Sequence, residues 1–162
     1  MGYNPNTAGG NYTQNSASYG VYDRTSATNN GNPIMGSTDG TNQSQLYLNN
    51  GGTDYPRINE GGSGGLSTAG NYQGFWVVSR TAISTNTLYR NNSSRGNEGT
   101  TSTGVTNVNL WVLTSNNNGS TSTVFNDQIA ADFAGGALTS GDAANLSTYL
   151  NGYMTTVGAN VY

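Results

Sequence analysis

Apolar residues along this chain occur in short runs, separated by stretches rich in Gly, Asn, Ser and Thr. Each run has about the length of a β-strand and is rich in β-branched or aromatic residues. The runs lie at 18–23, 45–48, 54–58, 74–80, 87–90, 105–114 and 128–134. Seven or more short strands joined by polar turns predict an all-β fold, an antiparallel β-sandwich.

The polar stretches contain pairs that accept a positive φ angle. These pairs are Asn30-Gly31, Asn50-Gly51 and Asn118-Gly119. Asn and Gly adopt left-handed backbone conformations more readily than other residues. Because Asn50-Gly51 lies between two predicted strands, it predicts a hairpin.

The C-terminal region has a different pattern, with apolar residues spaced three and four apart. They are Leu146, Tyr149, Leu150, Tyr153, Met154 and Val157. This spacing predicts one amphipathic α-helix near 140–157 that packs on the sandwich with this stripe. The segment 139–142 supplies a helix N-cap with an acid in the first turn, and Gly158 a natural end.

The 162 residues correspond to one domain, since domains commonly have about 100–200 residues. The chain has no Cys, no His and no Lys, because all five basic residues are Arg. The usual ligands of zinc and copper and the usual base of a Ser or Thr nucleophile are therefore absent, so we predict no enzyme and no catalytic residue. A net charge of −3 disfavours nucleic-acid binding, and no apolar run reaches the roughly 18 residues of a membrane span.

Two of the five arginines flank the segment 80–90. Residues 75–80 form a predicted buried strand, 87–90 form its neighbour, and Asn91-Asn92 forms the turn beyond it. We expect Arg80 and Arg90 to bind backbone carbonyls or carboxylates at the strand ends.

The passage Ser79-Arg80-Thr81 followed by 88–92 (LYRNN) resembles the "SRT…LYRNG" passage of phage-encoded domains with a concanavalin A-like, laminin-G-like jelly-roll fold. Three further motifs resemble passages of that family in the same order, namely 2–5 followed by 13–22, 129–133 with 138–139, and 153–161. The resemblance implies one jelly-roll domain over 1–162 and a virion structural protein of the tail or fibre type. It implies no catalytic residue.

Relatives of this kind carry an upstream segment that supplies early strands of the sandwich. This chain begins where that segment would end. We therefore expect other virion proteins or copies of the chain itself as partners, because an unpaired sheet edge favours pairing.

Glycan hydrolysis needs two carboxylates that face one bond. The eight candidates form no spaced pair on any one predicted strand: Asp23, Asp39, Asp54, Glu60, Glu98, Asp127, Asp132 and Asp142. This argues against a glycosidase. A hydrolase would need a carboxylate pair that meets in a cleft.

No cofactor is predicted, with calcium as the one candidate. Asp39 and Asn42 form a partial oxygen-ligand loop in the segment 39–42, and the alternative for this segment is an ordinary turn.

Carbohydrate binding needs an exposed aromatic face with polar groups around it. The candidates in or beside polar loops are Tyr47, Tyr55, Arg57, Asn71 and Tyr72. Trp76 and Trp111 lie at strand centres and are expected in the core.

The favoured hypothesis is a non-enzymatic structural and adhesion protein of a bacteriophage particle, located in the virion, which contacts host-surface glycans through polar loops. The alternative is a secreted bacterial carbohydrate-binding, lectin-like module.

Overall fold

The structure of the protein is a computed structural model, which describes residues 2–25, 31–62 and 64–161. Asn30 of the predicted Asn30-Gly31 turn lies outside the described residues, while Gly31 has a φ angle of +86°. The chain forms two packed β-sheets and one C-terminal helix, which confirms the predicted β-sandwich.

The first sheet has five strands and is antiparallel throughout. They are β1 (Ala17–Asp23), β6 (Gly74–Ala82), β7 (Thr85–Arg90), β8 (Ser93–Asn97) and β12 (Ile129–Gly135). Their order is β12-β1-β6-β7-β8, so β1 and β6 lie at the centre of the sheet.

The second sheet has seven strands. They are β2 (Pro33–Thr38), β3 (Gln43–Asn50), β4 (Thr53–Glu60), β5 (Leu66–Ser67), β9 (Trp111–Val112), β10 (Ser115–Asn117) and β11 (Ser120–Thr121). Their order is β11-β10-β2-β3-β4-β5, and β9 also pairs with β2. The expected Asn-Gly turns join β3 to β4 and β10 to β11.

The second sheet is mixed, whereas the prediction was antiparallel, because β10 runs parallel to β2. β9 pairs antiparallel with β2 at Met35 and Val112. The chain then reverses at Leu113, whose φ angle is +64°, and returns along the same strand as β10. Of the strand predicted over 105–114, only the two residues of β9 are therefore observed as a strand.

The core lies between the two sheets and is formed by one face of each sheet. Tyr19, Val21, Trp76, Val78 and Leu88 come from the first sheet, and Ile34, Met35, Leu46, Leu48 and Ile58 come from the second. Trp76 lies in this core as predicted. Trp111 does not: it is only partly buried and lies outside the core, because the inward-facing position belongs to its neighbour Leu110.

The first sheet is also covered on its other face, by the helix α1 (Ser140–Thr156). Tyr22, Phe75, Val77 and Tyr89 face this second cluster together with Ala143 and Met154. A strand buried on both faces has no polar side, which explains why residues 74–80 form a continuous buried run.

The helix begins as predicted, with a capping box between the N-cap Thr139 and Asp142. The predicted stripe is only partly correct. Met154 is buried and Leu150 packs on the sheet, but Tyr149, Tyr153 and Val157 are exposed. The buried side chains on the helix are Ala143, Ser147 and Met154, so small residues bring the helix close to the sheet.

In the parts of the chain that the structure describes, no helix combines the length and the apolar character that crossing a bilayer requires.

Candidate functional site

Three of the five predicted carbohydrate-contact residues lie together on the outer face of β3 and β4. Tyr47 pairs with Tyr55 across the two strands, and Gln45 pairs with Arg57. The neighbours Leu46 and Leu48 face the core instead. The side chains of Tyr47, Tyr55 and Arg57 therefore share the face that is turned away from the core, and they are called the Tyr–Arg surface below.

The Arg57 guanidinium lies against both tyrosine rings of this surface. Its Cζ atom is 5.5 Å from the ring centre of Tyr47 and 4.9 Å from that of Tyr55. The two ring centres are 6.3 Å apart and the rings are nearly perpendicular, at 85°. Both distances lie within the range of a cation–π contact, so the rings hold the guanidinium in place.

Gln43 fixes the same guanidinium from the side. Nη1 of Arg57 donates a hydrogen bond of 3.0 Å to Oε1 of Gln43. Burial raises the pKa of Tyr47, and the nearby Arg57 charge only partly offsets this effect. Tyr47 therefore remains a neutral phenol at physiological pH, with an O–H group that can donate or accept.

The glycine-rich loop between β4 and β5 packs against the edge of this surface. A Cβ atom at Gly62 would come within 2.6 Å of the Gln43 amide, and Gly62 has a φ angle of +89°. A Cβ atom at Gly65 would collide with Thr53 and approach the Tyr55 ring to 3.1 Å. Glycine at these two positions lets the loop approach the surface closely.

Asn71 and Tyr72 do not join this surface, and no described hydrogen bond or ring contact links them to it. Tyr72 is 1% exposed and belongs to the core, where its carbonyl accepts a hydrogen bond of 2.6 Å from Trp76 Nε1. This corrects the expectation of an exposed ring at position 72, since the Tyr72 ring fills space between the sheets. Asn71 is exposed, and its Oδ1 accepts a hydrogen bond from the Gln73 amide.

Asp39 and Asn42, the candidate calcium ligands, lie in the turn between β2 and β3. Asp39 Oδ1 accepts hydrogen bonds from the backbone amides of Thr41 and Asn42, and Oδ2 accepts one from the amide of Asn107. Partial burial raises the pKa of Asp39, but these backbone bonds outweigh burial and lower it overall. The bonds are those of a side-chain-stabilised turn, the alternative given above, and calcium binding here remains a prediction.

Among the described residues, no three Asp or Glu side chains gather into a group that could hold a metal ion, and no enclosed pocket is found.

The structure brings Asp23 and Asp127 together, a pair that the sequence did not indicate. Asp23 lies at the end of β1 and Asp127 just before β12. Burial first, and then the Asp127 charge, raise the pKa of Asp23 to about 7, against hydrogen bonds from Thr25. Burial also raises the pKa of Asp127.

Three of the four carboxylate oxygens of this pair lack a hydrogen-bond donor among the described residues. Asp23 Oδ2 and both carboxylate oxygens of Asp127 are buried with no hydrogen-bond partner among the described residues. A proton held between the two groups would supply the missing donor, which agrees with the raised pKa of Asp23.

A second group of charges lies inside the sandwich. Arg80 Nη2 donates to Glu60 Oε2 at 3.2 Å, and neither side chain is exposed. Burial first, and then the Glu98 charge, raise the pKa of Glu60 to about 8, while Arg80 acts against this rise. Asp23 and Glu60 have no exposed surface, so neither carboxyl can touch a substrate in this conformation.

Both arginines of the segment 80–90 bind backbone carbonyls, as predicted. Arg80 donates to the carbonyls of Ile58, Ile83 and Thr100. Arg90 donates twice to the carbonyl of Gln73 and lies over the Trp76 ring, with its Cζ atom 5.2 Å from the ring centre. These two arginines are thus structural.

Comparison with protein-family models and with curated proteins finds no match to this chain. The feature that indicates a functional surface is the geometry of Tyr47, Tyr55 and Arg57. Gln43 completes this site and was missed in the sequence, because nothing in the pattern indicates that it reaches Arg57.

Proposed function

We propose that the protein is a non-enzymatic adhesion module of a bacteriophage particle, which contacts glycans of the host surface through the Tyr–Arg surface. The observation that carries the proposal is the position of the Arg57 guanidinium against the Tyr47 and Tyr55 rings. The phage assignment is supported by the resemblance of four sequence motifs, in the same order, to phage jelly-roll domains.

The chemistry of the surface suits a sugar. A pyranose ring has an apolar face of C–H groups that packs on an aromatic ring, and hydroxyl groups that need donors and acceptors around it. Two partly exposed tyrosine rings provide the apolar contact, while Arg57 and Gln43 provide polar groups beside them. Since both rings lie on neighbouring strands, a sugar meets a surface that is already formed.

A surface of this size binds a single glycan weakly, and a particle compensates with many copies. Linked copies bind a multivalent surface more tightly than one copy does, by roughly 10²–10⁴-fold, without any new contact. The virion hypothesis therefore predicts that the chain self-associates or joins other virion proteins.

A glycan array with the purified chain tests the binding part of this proposal. We expect binding to a subset of bacterial surface glycans that is lost in Tyr47→Ala and kept in Tyr149→Ala. The control is apt because Tyr149 is an exposed tyrosine on the helix, 77% exposed and outside the Tyr–Arg surface. Absence of glycan binding, or equal loss in both variants, would contradict the proposal.

Light scattering then separates the phage module from the alternative. A trimer or a larger closed oligomer supports a particle component. A stable monomer that binds glycan by itself favours a secreted bacterial lectin-like module.

A further inference from the structure

We infer that the Tyr–Arg surface selects glycans that carry a carboxylate group over neutral glycans, through paired hydrogen bonds from Arg57. This inference rests on the proposed function, because it names the class of glycan that the same surface binds. Uronic acids and sialic acids are sugars with such a group.

Arg57 forms no salt bridge among the described residues, although its charge acts from a distance to lower the pKa of the buried Glu60. In the described parts of the chain, the one salt bridge joins Arg80 to Glu60. The hydrogen bond that Arg57 donates goes to Gln43, a neutral amide. Its Nε is buried and has no hydrogen-bond partner among the described residues. Most of the five donors of this guanidinium are therefore unused by the fold.

Three of the other four arginines, Arg80, Arg90 and Arg95, differ in this respect. Arg80 is fully buried and is occupied by Glu60 and several carbonyls. Arg90 donates twice to the carbonyl of Gln73. Arg95 is exposed, donates to the carbonyl of Ser67 and contacts no aromatic ring among the described residues. Arg57 alone among these four combines a partly exposed position, two ring contacts and a neutral hydrogen-bond partner.

The guanidinium of Arg57 is held in one orientation before a ligand arrives. The Tyr47 and Tyr55 rings restrict its position, and the bond to Gln43 Oε1 restricts its rotation. A fixed planar fork of donors matches the two oxygens of a carboxylate. Because the side chain is already ordered, less conformational entropy is lost on binding.

The single charge favours a monoanion over a more highly charged group. The Tyr–Arg surface contributes one positive charge, and the whole chain has a net charge of −3. A carboxylate is neutralised by one guanidinium, whereas a polysulfated or phosphorylated glycan would meet an acidic protein with excess negative charge.

Matched pairs of glycans test the selection. The probes are uronic-acid and sialic-acid oligosaccharides and the same oligosaccharides with their carboxyl groups methyl-esterified, each titrated by calorimetry. We expect the acid forms to bind at least roughly tenfold more tightly, which corresponds to about 1.4 kcal/mol. The preference should weaken as the salt concentration rises, since the ion pair is at the surface.

Arg57→Gln should remove the preference for the acid forms, and Arg57→Lys should retain part of it. Arg95→Gln is the matched control, since it removes one exposed charge elsewhere and should leave the preference unchanged. Thermal unfolding of each variant verifies that the fold is intact.

The outcomes separate this inference from the proposed function. If esterified and neutral glycans bind as tightly as the acid forms, the inference is overturned while the proposed function stands. Equal binding of sulfated glycans would also overturn it, because charge alone would then explain the selection. If no glycan binds at all, both fail.

Discussion

Arg80 donates a 3.2 Å hydrogen bond from Nη2 to Oε2 of Glu60, and neither side chain is exposed. Asn86 Nδ2 also donates to Glu60 Oε2, while Oε1 of Glu60 is buried and has no hydrogen-bond partner in the part of the chain that the structure describes. Arg80 links β6 to the carbonyls of Ile58 and Thr100 as well. The Arg80–Glu60 hydrogen bond and these carbonyl contacts thus join the two sheets at one end of the core.

Replacement of Arg80 should therefore destabilise the fold strongly. We expect Arg80→Met to lower the free energy of unfolding by about 3–5 kcal/mol, because it leaves a buried carboxyl and several carbonyls without their donor. Urea unfolding followed by tryptophan fluorescence measures this loss. Arg95→Met, a change of an exposed arginine, should stay within about 0.5 kcal/mol. A loss of stability no greater than that of the control would refute the structural role of the pair.

Asp23→Asn should remove a pH dependence of stability. The pKa of Asp23 is about 7 in the fold, against about 3.9 for an unfolded Asp. Between these values the folded chain holds a proton on Asp23 that the unfolded chain has lost, so the contribution of Asp23 to stability is greatest at low pH and falls as the pH rises from about 4 to about 7. The asparagine side chain keeps an oxygen that can accept from Thr25, and its amide group can donate to Asp127. Because this amide group does not titrate, the variant lacks this pH dependence of stability.

Thermal unfolding from pH 4.5 to 8.5 gives the comparison. We expect the unfolding temperature of Asp23→Asn to exceed that of the wild type above pH 7, and the difference to shrink towards pH 4.5. Asp132→Asn, a change of an exposed carboxylate on β12, is the control and should follow the wild type. Parallel curves for Asp23→Asn and the wild type would contradict the shared-proton account.

Seven of the twelve described strands, the Asn-Gly turns and the start of the helix could be predicted because each depends on local sequence. The apolar runs overlap β1, β3, β4, β6, β7, β9 and β12, whereas β2, β5, β8, β10 and β11 lie outside them and were missed. Asn50-Gly51 predicted the hairpin, and Thr139 with Asp142 predicted the helix start. The side of the helix that is buried could not be predicted in this way. Apolar residues cover more of its circumference than the sheet can contact, so Tyr149 and Tyr153 stay exposed.

The Tyr–Arg surface could be predicted only in part, because it depends on a β-bulge. Asn50 pairs with Thr53, and an unbroken ladder from that pair would set Leu48 opposite Tyr55. Instead the register shifts between Tyr47 and Asn50, and Tyr47 pairs with Tyr55. A shift by one residue moves a side chain to the other face of the sheet, so the bulge brings the two rings together. The Asp23–Asp127 pair depends on strand order in the same way and has no local signal.

Asn49 is the residue at which this bulge can be tested. Its φ angle is +54°, and its backbone amide donates a hydrogen bond of 2.8 Å to Asp54 Oδ1. Asn49→Val should cost about 1–2 kcal/mol, because a β-branched residue is strained in the left-handed region. Asn49→Gly should cost less than Asn49→Val, because both variants lose the hydrogen bond from the Gly52 amide to Asn49 Oδ1 but glycine adopts this conformation without strain.

The two Asn49 variants also connect the bulge to function. Chemical denaturation measures the stability difference, and glycan titration measures the effect on the Tyr–Arg surface. Asn49→Val should weaken glycan binding, and Asn49→Gly should preserve it. If valine is tolerated as well as glycine in both measurements, the bulge does not require the left-handed conformation.

The two faces of α1 should respond differently to truncation. Met154 is 3% exposed and packs with Ala143 beneath the helix, so Met154→Ala should cost about 2–5 kcal/mol through lost burial and the cavity left behind. Tyr149→Ser lies on the solvent side and should change stability by about 0.5 kcal/mol or less. Urea unfolding of both variants at pH 6 measures the contrast. A large cost for Tyr149→Ser would mean that the outer face of the helix is covered in solution. In that case the same substitution should also shift the oligomeric state in light scattering, because a covered aromatic face implies a second chain packed on it.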